Sequence, residues 1–290
     1  MTTKHTMRRK LLLGAAAAGL LSGCSPLRVV SGLTPAHTYR RTDGVVYGPG
    51  TRQLLDIYRP AISTRAAPVI VFFYGGNWNS GNRADYLFVG EALAARGYVV
   101  VIPDYRLHPV VRFPDFLADC AAAAAWTSAN IGAHGGNPQR VFLMGHSAGA
   151  YNAAMLAFDR SYLEAARMDR RALRGIIGLA GPYDFLPLKS PLTKDIFGFP
   201  DTPMTTQPIH FVSADGPPAL LVTGSADDTV DPGNSARLAA RLRTVGVPVR
   251  EVVYPGVGHM RLVGALAAPL RLVTPPLLED VVAFVNERSG

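Results

Sequence analysis

The chain has 290 residues, 48% of them hydrophobic and 17% charged, with a formal net charge of +8. That length and apolar share suit a single α/β domain with ample core-forming chain, and two cysteines exclude a disulfide-built scaffold. The positive balance does not ask for nucleic acid, because Lys4, Arg8, Arg9 and Lys10 crowd the first ten residues and the remaining arginines are scattered.

Residues 11–23 (LLLGAAAAGLLSG) form an apolar, small-residue run behind Arg8-Arg9-Lys10. The run is too short to span a bilayer permanently, but it has the length of a signal-peptide core. It ends in Leu21-Ser22-Gly23-Cys24, which resembles the bacterial lipobox, and Arg8-Arg9 also resembles a twin-arginine export signal. Residues 1–23 are therefore expected to be a lipoprotein-type signal peptide and Cys24 to carry the lipid. A mature chain starting there has 267 residues, and its charge falls from +8 to +4. The expected location is a bacterial cell envelope, held to the membrane by Cys24. The other cysteine, Cys120, lies in an Ala-rich helical stretch and reads as a small core residue.

Residues 24–42 read as a tether and 43–290 as the folded domain. Residues 54–58 suggest a short strand stopped by Pro60. Residues 68–74, 98–102 and 140–144 are continuous apolar, β-branched runs, the pattern of strands buried on both faces of a parallel sheet. Helices are expected over 89–96, 115–130, 148–158, 236–245 and 277–288, and further strands over 173–180, 219–223 and 249–254. This alternation predicts an α/β fold, a mostly parallel central sheet with helices on both faces. Residues 181–218, rich in Pro, Gly, Thr and Phe, break the pattern and read as a small irregular cap over the sheet edge where ligands bind.

Gly145-His146-Ser147-Ala148-Gly149 stands between a buried strand and a helix. In that context Gly-x-Ser-x-Gly is a nucleophile elbow, with Ser147 raised over the sheet edge. The Ala148 amide, at the positive end of the helix, points toward an oxyanion on the attacked carbonyl. A serine needs a histidine base, and the base needs a carboxylate to orient it. Of seven histidines only His210 and His259 follow Ser147, and His259 sits in a Gly-rich loop directly after a strand. Asp227, a short loop beyond residues 219–224, is the favoured acid, with Asp184 and Asp228 as alternatives and Asp231 as a helix cap. The two glycines of Tyr74-Gly75-Gly76-Asn77-Trp78 allow backbone amides to turn toward a ligand and complete an oxyanion hole.

Together these segments resemble the esterase/lipase family of α/β-hydrolases that includes hormone-sensitive-lipase-like, acetyl-esterase and feruloyl-esterase-like carboxylesterases. The resemblance also rests on Leu55-Asp56-Ile57-Tyr58-Arg59-Pro60, Pro103-Asp104-Tyr105-Arg106-Leu107, Phe113-Pro114 and Gly135-Gly136-Asn137-Pro138. It implies a serine carboxylic ester hydrolase acting on a small or medium ester through an acyl-serine intermediate, with Ser147 as nucleophile, Asp227 as acid and His259 as base. It further implies an oxyanion hole from the amides of Gly76, Asn77 and Ala148, and no metal or organic cofactor. The family usually has His where this chain has Tyr74, and often a third Gly at Asn77. An amidase, formamidase or peptidase with the same triad, and a silent hydrolase fold serving as an envelope binding protein, are the alternatives. Asp104 and Arg106 read as structural.

Overall fold

Val69, Ile70, Val71, Phe72 and Phe73 are wholly excluded from solvent, as are most residues of the neighbouring apolar runs. Such segments are stable only in the middle of a sheet covered on both faces. The computed structural model describes residues 26–62 and 66–289, so the signal-peptide and Cys24 expectations lie outside the described residues. Eight strands form one sheet: β1 (Tyr39–Val46), β2 (Leu54–Pro60), β3 (Ala67–Phe73), β4 (Val99–Pro103), β5 (Gly136–His146), β6 (Leu173–Leu179), β7 (Ala219–Gly224) and β8 (Val249–Tyr254). Their spatial order is β1-β2-β4-β3-β5-β6-β7-β8. β1 pairs antiparallel with β2, and β2 with β4; all other pairs are parallel. The expected mostly parallel α/β sheet with helices on both faces is what forms.

Nine α-helices accompany the sheet among the described residues: α1 (Pro26–Gly32), α2 (Leu87–Ala94), α3 (Asp115–Asn130), α4 (Ala148–Phe158), α5 (Arg160–Ala165), α6 (Pro191–Phe197), α7 (Gly233–Thr244), α8 (His259–Gly264) and α9 (Leu277–Arg288). Residues 24–42, read as a tether, hold α1 and the start of β1. β1 escaped sequence reading because its YRRTDGVV pattern is that of an exposed edge, with no residue buried. Residues 181–218 contain α6 and two short 3-10 turns, Met204–Thr206 and Pro208–Phe211.

From β3 the chain crosses to β4 on one side, then passes back over β3 to β5 on the other. The loops leaving β3 and β5 therefore diverge, and a crevice opens between their C-terminal ends. Phe73 and Gly145, neighbours in the β3–β5 ladder, mark its floor.

Candidate active site

β5 ends at His146, and α4 begins at Ala148, so Ser147 makes the whole turn. It does so at φ 56°, ψ −125°, a conformation that costs a non-glycine residue of order 1–3 kcal/mol. The turn is possible only because both flanks lack side chains. A Cβ on Gly145 would lie 2.2 Å from the Gly149 carbonyl oxygen, and one on Gly149 would lie 2.0 Å from that of Phe73. The strain holds Ser147 at the wall of a cavity of about 380 Å³.

His259 and Asp227 reach the same place from two other loops. Asp227 follows β7, and its Oδ1 accepts the amides of Thr229 and Val230 at 3.0 and 2.9 Å. Its Oδ2 faces Nδ1 of His259 at 2.7 Å, with the carboxylate fully buried. His259 opens α8, the short helix after β8, and lines the cavity beside Ser147. With Nδ1 donating to the carboxylate, Nε2 is the ring nitrogen left to take a proton. Among the described residues no hydrogen bond joins the Ser147 hydroxyl to His259; such contacts often tighten only with substrate in place.

The alternative acids are engaged elsewhere. Asp184 pairs with Arg237 at 2.7 Å, and Asp228 is exposed, accepting the Thr229 hydroxyl at 3.3 Å. Asp231 accepts the Gly233 amide at 2.9 Å at the start of α7. His210 lies on the 3-10 turn Pro208–Phe211 and is not among the cavity-lining residues.

The loop after β3 supplies donors. Gly76, Asn77 and Trp78 all have positive φ, at 128°, 50° and 57°. Gly76 and Asn77 line the Ser147 cavity, and among the described residues the amides of Gly76, Asn77 and Ala148 have no protein acceptor. Two anchors hold this loop. The Trp78 indole donates to Asn152 Oδ1 on α4 at 3.0 Å, and the Trp78 carbonyl accepts the His108 amide at 2.8 Å. Asn152 Nδ2 in turn reaches the buried Cys120 Sγ at 3.6 Å. At the root, the Tyr74 hydroxyl donates to Asp104 Oδ1 at 2.8 Å and accepts from Arg52 at 2.7 Å, while the ring stacks 4.8 Å from Tyr105. Tyr74 is thus a structural post, bonded away from the cavity.

His146 was read only as the variable residue of the pentapeptide. Its ring lies 4.6 Å from that of His259, and its Nε2–H donates to the His259 carbonyl at 3.2 Å. Burial, and then the neighbouring His259, push its pKa down to about 3, so it stays neutral. No sequence signal separated it from any other x in Gly-x-Ser-x-Gly; the contact spans 113 residues. Thr229 and Asn77 line both this cavity and a second one of about 610 Å³, walled by Trp78, Phe185, Leu186 and Leu192. Among the described residues no group of three or more His, Cys, Asp or Glu side chains is arranged to hold a metal ion.

Comparison with known proteins agrees with this architecture. The family model described as BD-FAE matches residues 55–242. The isoprenylcysteine alpha-carbonyl methylesterase ICME of Arabidopsis thaliana is 29% identical, over 85% of this chain and 62% of its own length. Esterase LipC of Mycobacterium tuberculosis is 31% identical, over 74% of this chain and 58% of its own. The chain thus spans about three fifths of the length of these curated relatives. A truncated carbohydrate esterase from gut microbiota superposes with a TM-score of 0.78 at 21% identity, covering 88% of this chain and 99% of the other, a likeness of fold. The chain belongs to the BD-FAE family, within the α/β-hydrolase-fold esterase/lipase superfamily.

Proposed function

We propose that the chain is a serine carboxylic ester hydrolase, with Ser147 as nucleophile, His259 as general base and acid, and Asp227 as the orienting carboxylate. The observation that carries this reading is the 2.7 Å Asp227–His259 pair, which presents the histidine at the cavity wall shared with the strained Ser147. In this reading Ser147 Oγ attacks the ester carbonyl carbon as His259 Nε2 takes its proton. Negative charge gathers on the carbonyl oxygen, where the unused amides of Gly76, Asn77 and Ala148 stabilise it. His259 then protonates the departing alcohol, and water repeats the sequence to release the acid. The two cavities meeting at Asn77 and Thr229 supply room for a small or medium ester, one group on each side of the carbonyl. The names of the esterase relatives support an ester over an amide.

The same reading includes export and lipid anchoring at Cys24, at a bacterial cell envelope, on the strength of Leu21-Ser22-Gly23-Cys24 behind a basic, apolar leader.

A fluorophosphonate probe should label the purified chain at Ser147. Ser147→Ala should remove the label and lower kcat for p-nitrophenyl butyrate by at least about 10⁵-fold. Retained turnover would sink the assignment, and preference for anilides over esters in a matched panel would move it to the amidases.

A further inference from the structure

The first described helix stands at the mouth of the Ser147 cavity. Leu27, on α1, lines that cavity together with Tyr86 and Met260. α1 packs against the turn at Arg83–Tyr86 and against α2, and the Ser31 hydroxyl donates to the Asp85 carbonyl at 2.8 Å. The described part of the segment read as a tether, from Pro26 on, therefore lies along the protein. Cys24 precedes Leu27 by three residues, and three residues reach at most about 10 Å. A lipid carried on Cys24 would therefore be tethered only three residues from a residue that lines the cavity.

Met260 at that cavity is half exposed, and further exposed apolar side chains lie on segments linked to it. Leu272 is 98% exposed, Val273 69%, Leu33 64% and Met260 49%. Hydrogen bonds tie the segments that carry them together. Glu91 accepts from Thr38, five residues beyond Leu33, at 2.9 Å and from Arg271, just before Leu272, at 2.5 Å. Arg261, next to Met260, donates to the Val273 carbonyl at 3.3 Å. Exposed leucine and valine beside a lipid attachment point suit the headgroup–acyl boundary, and the exposed Arg261 suits anionic headgroups.

We infer that this face docks on the lipid bilayer with the Ser147 cavity opening onto it, so that the esters hydrolysed are those of amphiphiles resident in the membrane. The inference rests on the ester-hydrolase reading and on lipidation of Cys24, and each has its own arm in the test. The full lipidated chain is reconstituted in phosphatidylethanolamine/phosphatidylglycerol vesicles carrying p-nitrophenyl palmitate, with p-nitrophenyl butyrate as the soluble ester. Leu272→Asp/Val273→Asp should leave soluble-ester kcat/KM within about twofold and lower the vesicle-ester rate about tenfold, the loss from removing two inserted apolar side chains. Equal vesicle rates for variant and parent would overturn the docking. So would a parent that is dimeric in detergent and made monomeric by the substitutions, since the face then belongs to a second copy. Cys24→Ser should leave the membrane fraction; retention there overturns the inference but leaves the ester reading intact. No soluble-ester turnover by the parent would break the ester reading instead. Docking is then still read without turnover, from a dansyl group on Leu272→Cys, whose emission should shift to the blue on vesicles and whose unshifted emission would overturn it.

Discussion

Two carboxylate clusters lie near the crevice, and burial alone does not tell them apart. Asp227 is fully buried and holds one histidine at 2.7 Å, at the wall of an open cavity. Asp56 and Asp104 are as deeply buried, but they hold arginines. Arg83 Nε lies 3.0 Å from Asp56 and its Nη1 bonds Asp104, Arg41 lies 2.7 Å from Asp56, and Arg52 bonds the Tyr74 hydroxyl beside Asp104. A guanidinium is permanently charged, so the second cluster cannot exchange protons near neutrality and serves as a brace for the loop after β3. An imidazole held at one ring nitrogen leaves the other free to accept a proton, so the first cluster is equipped for chemistry. The partner's chemistry, more than the depth of the carboxylate, separates a candidate site from a structural strut.

Substitutions at each cluster should therefore fail differently. Asp227→Asn keeps the shape but lets His259 adopt the wrong tautomer, so kcat should drop about 10⁴-fold with the melting temperature little changed. A larger loss in Asp184→Asn would transfer the acid to Asp184. That variant should stay within about twofold of the parent, because Asp184 is committed to a partly exposed pair with Arg237. Arg83→Leu strips a cation shared by two buried carboxylates, and denaturant unfolding should show a loss of about 3 kcal/mol. Unchanged stability would mean that Arg41 and Arg52 suffice.

The histidine cluster should also carry an acid response of its own. His146 has a folded pKa of about 3 against an ordinary 6.5, so the folded chain binds fewer protons than the unfolded one below pH 6.5. Its contribution to stability is complete above pH 6.5 and is lost as pH falls toward 3. Between pH 6.5 and 5, His146→Gln should lose about 2 kcal/mol less than the parent while keeping a donor for the His259 carbonyl. Parallel stability curves for the two proteins would show that His146 does not carry this acid sensitivity. A smaller effect, within about twofold, is expected on soluble-ester turnover at pH 8, where both forms present the same hydrogen bond.

Much of the frame was open to sequence reading, and the exceptions have physical causes. The central strands announced themselves because a strand covered on both faces has to be apolar at every position, as residues 69–73 are. β1 stayed hidden because an antiparallel edge strand faces solvent and uses Arg40, Arg41 and Asp43 without penalty. α8 stayed hidden because it spans only six residues and begins inside a Gly-rich loop. Tyr74, where the resembling family usually has His, owes its position to Arg52 and Asp104, on loops 22 and 30 residues away.

By itself the sequence determined the order of the central strands and longer helices, the strand-to-helix turn at Ser147 and the choice of Asp227 and His259 as the candidates to join it. These are local properties: apolar runs, glycines where no Cβ fits, and a polar residue delivered at a strand end. Only the tertiary structure decided that Asp184 turns to Arg237, that His146 backs His259, and that Leu27 closes on the cavity beside Met260. Those pairs lie 53, 113 and 233 positions apart, and chain neighbours carry no trace of residues that the winding of the sheet alone brings to one place.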